Sequence, residues 1–283
     1  MSTHSPQEFV IPARPAVLLQ LSSLVENGSP GYDQVSELVK SDAALYSNIL
    51  AMINSAYFGI RTRVSSVDKA VRILGMKRLL LLVRMAALRN VVGDQDNLEQ
   101  FWDEACEVAT MCGQLTHYLP YMAGDDAYTM GMMHACGVPL MVKQYKDYQR
   151  LLEESVLLDL SDQQRLEQSH FKVDHFQLSS LIAQRWQIPE PICNAIALQP
   201  NYQDVLVDDG YSEELRNQLC LLLIGREFSL KFETLWGLAE EYQPVVNMEP
   251  ILEYLGLTEG ELKAIQDHLF SRLQVDDRGI VPC

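Results

Sequence analysis

The chain has 283 residues, 48% of them hydrophobic and 21% charged, which suits a soluble globular protein with one large or two modest domains. Its net charge of −16 and its 22 scattered basic residues argue against a nucleic-acid role, which needs clustered Lys and Arg to neutralise phosphates. Apolar stretches such as Leu79–Val83, bracketed by Arg78 and Arg84, fall far short of the roughly 20 residues of a membrane span.

The pattern is helical almost throughout. Val17, Leu18, Leu21, Leu24 and Val25 mark a first stripe, with Pro15 at its start and Asn27-Gly28 as its stop. Val35, Leu38 and Val39 mark a second. A third follows the capping residue Asp42 and carries Leu45, Ile49 and Ile53. Ser65-Ser66-Val67-Asp68 reads as another helix start, running through Ala70, Val71 and Leu74 to Gly75. From Met76 to about Val92 apolar residues lie all round, which predicts a central buried helix.

Gly93–Asn97 is a polar junction. A long helix then carries Phe101, Ala105, Val108, Ala109, Cys112 and Leu115, one runs from about Asp125 to His134, and one starts near Pro139. Asp174 opens a helix bearing Leu178, Ile182 and Trp186 that ends before Pro189, and a short helix carries Ile192 and Ile196. Tyr202–Tyr211, rich in Asp and Gly, reads as a linker. Beyond it Leu215, Leu219 and Leu222 form a stripe, and Thr258-x-x-Glu261 matches a capping box. No sustained alternation of apolar and polar residues predicts a sheet, and no P-loop or dinucleotide fingerprint occurs. The six cysteines form no C-x-x-C pair and read as free thiols of a reducing compartment. Met1–Ile11 lacks the basic and apolar regions of a signal peptide, so a cytoplasmic location is expected.

An ordered series of short motifs resembles the HDOD domain, a regulatory relative of the metal-dependent phosphohydrolases of the HD superfamily. It begins with Ile11-Pro12-Ala13-Arg14-Pro15-Ala16, Asp42-Ala43-Ala44-Leu45, Asn54-Ser55-Ala56-Tyr57-Phe58-Gly59 and Val64-Ser65-Ser66. Ala70-Val71, Leu74-Gly75, Phe101-Trp102, Met133-His134, Asp174-His175 and Trp186-x-Ile188-Pro189-x-x-Ile192-x-x-Ala195-Ile196 follow in the family's order. The resemblance implies an all-α fold of two packed bundles, near residues 12–95 and 96–205, forming a domain over 12–205. Residues 206–283 are read as additional C-terminal helices. It further implies a bacterial signalling module that works through protein contacts, as output or scaffold.

The same resemblance locates a degenerate metal site. Met132-Met133-His134-Ala135-Cys136-Gly137 is similar to the superfamily's apolar-apolar-His-Asp-apolar-Gly, with Ala135 where the ligating Asp belongs. Glu104 falls near the position of the first His, Asp174-His175 is retained, and Leu198-Gln199-Pro200 stands where the final His pair is expected. A hydrolytic metal wants at least three protein ligands and an open position for water, so the vestigial pocket of Glu104, His134, Ala135, Asp174, His175 and Gln199 predicts no catalytic residue and no cofactor. Two imidazoles leave room only for weak residual metal binding. Helix-end chemistry offers another reading: His134 as an imidazolium at a helix C-terminus, and Asp174 as an N-cap with His175 in the first turn.

Asn54, Ser55 and Tyr57 could line a ligand or partner loop, or simply end a helix. Arg61 and Arg63 beside Ser65 and Ser66 could clamp a phosphate, or sit in a solvated turn. Met130, Met132, Met133 and Met141 read as core filler, and Cys136 as an inert buried thiol. Three functions follow. The first is a non-catalytic regulatory scaffold with protein partners, without nucleic acid or membrane, whose apolar C-terminal helices are compatible with a homodimer. The second is a metal-dependent phosphohydrolase with a reduced ligand set, and the third a nucleotide-sensing module without turnover.

Overall fold

The computed structural model describes residues 16–26, 31–54, 64–70, 72, 79, 83, 86, 99–155, 158–229 and 245–274. Among them every regular element is a helix, so the fold is all-α. The backbone divides into two compact units, Pro12–Asp103 and Glu104–Ser271.

In the first unit, α1 (Ala16–Glu26), α2 (Tyr32–Lys40) and α3 (Ala43–Ile53) pack in sequence. The predicted stripes face inward: Leu21, Val35, Val39, Leu45, Ile49 and Ile53 are all buried. Asp42 caps α3 as its sequence suggests, its Oδ1 accepting from Leu45 N at 3.0 Å. Val67 and Ala70 open the next helical stretch, and Leu79, Val83 and Ala86, at helical spacing, are fully buried. The predicted stops at Asn27-Gly28 and Gly75 and the junction at Gly93–Asn97 lie outside the described residues.

The second unit begins at Glu104 within α4 (Glu99–Leu115) and continues with α5 (Gly124–Met133), α6 (Val138–Gln144), α7 (Tyr148–Ser155), α8 (Leu160–Phe171), α9 (His175–Arg185) and α10 (Glu190–Ala197). A 3-10 turn (Gln199–Asn201), α11 (Tyr202–Val207), α12 (Glu213–Glu227), α13 (Glu249–Leu255) and α14 (Glu259–Gln274) complete it. The capping box before α14 forms as its sequence predicts. Glu261 Oε2 accepts from Thr258 N at 2.8 Å and Thr258 Oγ1 from Glu261 N at 3.2 Å.

Two sequence expectations need correction. Tyr202–Tyr211 is not a linker, because Tyr202, Val205 and Leu206 recur at helical spacing, are buried, and build α11. Of the Asp and Gly residues in this stretch, Asp204 lies in the first turn of α11 and Asp208–Gly210 follow the helix. The free-thiol reading holds at the buried Cys112, Cys136, Cys193 and Cys220 but fails at Cys106, which is disulfide-bonded.

Helix α12 positions the site. It packs against α10 and α5, and every residue from Leu219 to Arg226 is buried, as a helix enclosed on all sides requires. Two glycines allow the backbones to close in. A Cβ on Gly131 of α5 would lie 2.6 Å from Ala109 Cα of α4, and one on Gly225 of α12 would lie 2.5 Å from Cys112 Sγ.

Candidate functional site

The turn after α5 carries the residues that matched the superfamily's His-Asp stretch. His134 is the C-cap of α5, and its Nδ1 lies 2.6 Å from the carbonyl of Gly131, to which it donates. The imidazole is 2% exposed, and burial, reinforced by the charge of Arg226, depresses its pKa to about 3. His134 is therefore neutral at physiological pH, which corrects its reading as a helix-end imidazolium. Ala135 offers no donor. The Cys136 thiol donates toward Ser179 O at 3.7 Å, and burial pushes its pKa up to about 12, so it is an inert thiol as its sequence context suggests. Gly137 N donates to Ser179 Oγ at 2.8 Å, tying this turn to α9.

His175 opens α9 on the other side of that tie. Its Nδ1 donates to Glu167 Oε1 at 2.7 Å, and its backbone N–H to Glu167 Oε2 at 2.7 Å. Tyr148 OH donates to the same Oε1 at 2.8 Å. Burial acts to raise the Glu167 pKa. The attraction of His175, its two hydrogen bonds and the Tyr148 hydroxyl outweigh that effect and hold the carboxyl below the usual glutamate range. Both imidazoles thus engage Nδ1 and leave Nε2, the arrangement in which outer-shell partners orient metal-ligating histidines. The charge of His175 also disfavours the imidazolium of His134.

The remaining predicted positions do not complete a ligand set. Asp174 caps α9: its Oδ1 accepts from Gln177 N at 2.9 Å and its Oδ2 from Gln168 Nε2 at 2.7 Å. Glu104 is buried, and burial raises its pKa to about 8 despite Arg226, with the neighbouring Glu107 adding to the rise. It is mostly protonated at neutral pH. Gln199, fully buried in the 3-10 turn, donates from Nε2 to His134 O at 3.0 Å and to Ile196 O at 2.9 Å. Its Oε1 accepts from Arg226 Nη1 at 2.8 Å.

Arg226 sits in the last turn of α12, where a cation suits the helix dipole. Its guanidinium acts on both Glu104 and His134, so a fixed positive charge lies among the residues that a metal would need. Among the described residues no group of three or more His, Cys, Asp or Glu side chains is placed to hold a metal ion. These donors do not fit a hydrolytic metal centre: two imidazoles remain, the bridging carboxylate is absent, and a guanidinium stands beside them.

Sequence reasoning missed Glu167, Tyr148, Ser179 and Arg226. A signal for Glu167 was present, because the buried residues of α8 are Leu160, Gln163, Glu167 and Phe171, which places a carboxylate on an inward stripe. The loop residues Ser55, Tyr57, Arg61 and Arg63 lie outside the described residues. Asn54 is a structural bridge: its Oδ1 accepts from Val64 N at 2.7 Å and its Nδ2 donates to Val64 O at 3.0 Å.

A family model for the HDOD domain matches residues 11–202. The chain belongs to the HDOD domain family. An uncharacterized protein of Treponema pallidum (strain Nichols) is 28% identical over 197 residues, or 68% of this chain, which itself spans only 38% of that relative's length. A candidate phosphohydrolase from Shewanella amazonensis SB2B has a similar crystal structure, with TM-score 0.60 and 23% identity, over 91% of this chain and 94% of that one. So does a candidate signal transduction protein from Marinobacter aquaeolei VT8, with TM-score 0.63 and 21% identity, over 93% of this chain and 57% of that one. At these identities the structures establish a shared fold. The HDOD match ends at residue 202, so Arg226 comes from outside it.

Proposed function

We propose that this HDOD protein is a non-catalytic regulatory protein of bacterial signal transduction, cytoplasmic, metal-free and acting through contacts with protein partners. The observation that carries the reading is the guanidinium of Arg226 bonded to Gln199 and acting on His134, where the superfamily would gather metal ligands. Ligand counting supports it, because a metal needs deprotonated donors and three of the six pocket positions carry a methyl (Ala135), an amide (Gln199) or a protonated carboxyl (Glu104). The name of the Marinobacter aquaeolei structure supports the signalling assignment. Among the described residues no helix is long and apolar enough to cross a membrane.

A second reading is a metal-dependent phosphohydrolase with a reduced ligand set, favoured by one observation: Glu167 orients His175 as an outer-shell carboxylate would. Turnover decides between them. Purified protein should not hydrolyse bis-p-nitrophenyl phosphate or cyclic dinucleotides with Mn, Fe or Zn added. Turnover that disappears in both His134→Ala and His175→Ala would replace the scaffold with the hydrolase.

A further inference from the structure

Arg226 is buried, and the helix that carries it is seated by a close backbone approach. A Cβ on the preceding Gly225 would lie 2.5 Å from Cys112 Sγ and 3.3 Å from Cys112 N of α4, and one turn earlier Cys112 Sγ donates toward Leu221 O at 3.9 Å. With α12 held against α4 in this way, the guanidinium reaches residues at the ends of other helices. Its Nη1 donates to Gln199 Oε1, and the Nε2 of that amide is engaged by His134 O and Ile196 O. The amide therefore turns its oxygen toward Arg226.

These bonds gather three helix C-termini. His134 caps α5, Ile196 lies in the last turn of α10, and Arg226 lies in the last turn of α12. A helix C-terminus carries partial negative charge on carbonyls that lack an intrahelical partner, so three of them together make a buried place that favours a cation. Helix α4 adds two buried carboxyl side chains, Glu104 and Glu107, and the charges of Arg226 and Glu107 both act on Glu104. His134, being neutral, does not supply the positive charge.

We infer that Arg226 is a built-in cation: α12 delivers its guanidinium from outside the HDOD match to the place where α4, α5 and α10 meet, and there one positive charge joins electronegative groups of several helices, the structural task of a bound metal. The donors around His134 do not fit a metal, and the guanidinium is the positive counterpart of that misfit. The match ends at residue 202, so the C-terminal helices complete the pocket rather than hang from it. The inference rests on the metal-free reading above and gives the pocket its charge.

The test is thermal unfolding of the full chain with a small cation offered back. Arg226→Ala removes the guanidinium and the two methylenes beyond Cβ, which are the atoms of ethylguanidinium. Added ethylguanidinium should raise the melting temperature of that variant saturably, by about 2–4 °C, and should leave wild type unmoved because its place is filled. Ethylurea has the same shape without the charge and should raise neither, whereas a side chain that merely fills space would be replaced by both compounds alike. Should Arg226→Ala not fold, Arg226→Lys keeps the charge, Arg226→Gln loses it, and the Lys variant should melt higher. No rise with ethylguanidinium, an equal rise with ethylurea or in wild type, or a Gln variant melting as high as the Lys variant would each overturn the proposal. Bound metal or phosphoester turnover in wild type would fail the metal-free reading, while a failed rescue in inactive, metal-free protein would fail this inference alone.

Discussion

His134 gives the sharpest thermodynamic handle on the pocket. Its pKa is about 3 in the folded chain against an ordinary 6.5, because burial and then Arg226 disfavour the imidazolium. Below pH 6.5 the unfolded chain takes up a proton that the folded chain refuses, so stability is fully present above 6.5 and is lost as the pH falls toward 3. Between pH 7.5 and 4.0 the penalty is about 2.5 pH units at 1.36 kcal/mol each, or about 3 kcal/mol. His134→Asn removes the titrating imidazole and leaves the protein's carboxylates in place. Guanidinium unfolding of both proteins at the two pH values isolates the term. The advantage of wild type over the variant should shrink by about 3 kcal/mol on acidification. An advantage equal at both pH values would mean an imidazole open to water, and the account of a dry pocket beside a guanidinium would fail.

Glu104 should act in the opposite sense: its folded pKa of about 8 lies above its ordinary 4.5, so stability falls as pH rises through that window, and Glu104→Gln should flatten the trend in thermal melts. In Gly137→Ala the new Cβ would lie 2.6 Å from His175 O and 3.0 Å from Ser179 N, both rigid backbone, and denaturant unfolding should show a loss of about 2–3 kcal/mol. Tyr148→Phe removes one of the three hydrogen bonds on the buried Glu167 and should cost about 1–2 kcal/mol in the same assay.

The sequence carried the fold well where apolar spacing was regular. The stripes of α2, α3, α9 and α10 and the caps at Asp42, Asp174 and Thr258 form where the residue types call for them. It misled at Tyr202–Tyr211, where Asp and Gly at the end obscured three well-spaced core residues. For the pocket, the loss of the Asp at Ala135 and of the final His pair at Gln199 was visible from motif order alone. The protonated state of Glu104 and the neutral state of His134 were not visible, because both come from burial that only the packed helices create. Arg226 was the hardest to see. It lies outside the family match, and the unbroken run Leu219–Ile224 was the sole hint that its helix is central rather than peripheral.

Metal content tests the central claim most directly. Protein grown with added Mn, Fe and Zn, purified without chelator and measured by mass spectrometry, should carry no metal in stoichiometric amount, in wild type and in His134→Ala alike. One metal ion per wild-type chain, lost in both His134→Ala and His175→Ala, would contradict the account, since it would show two imbalanced imidazoles beside Arg226 binding what this donor set is argued to refuse.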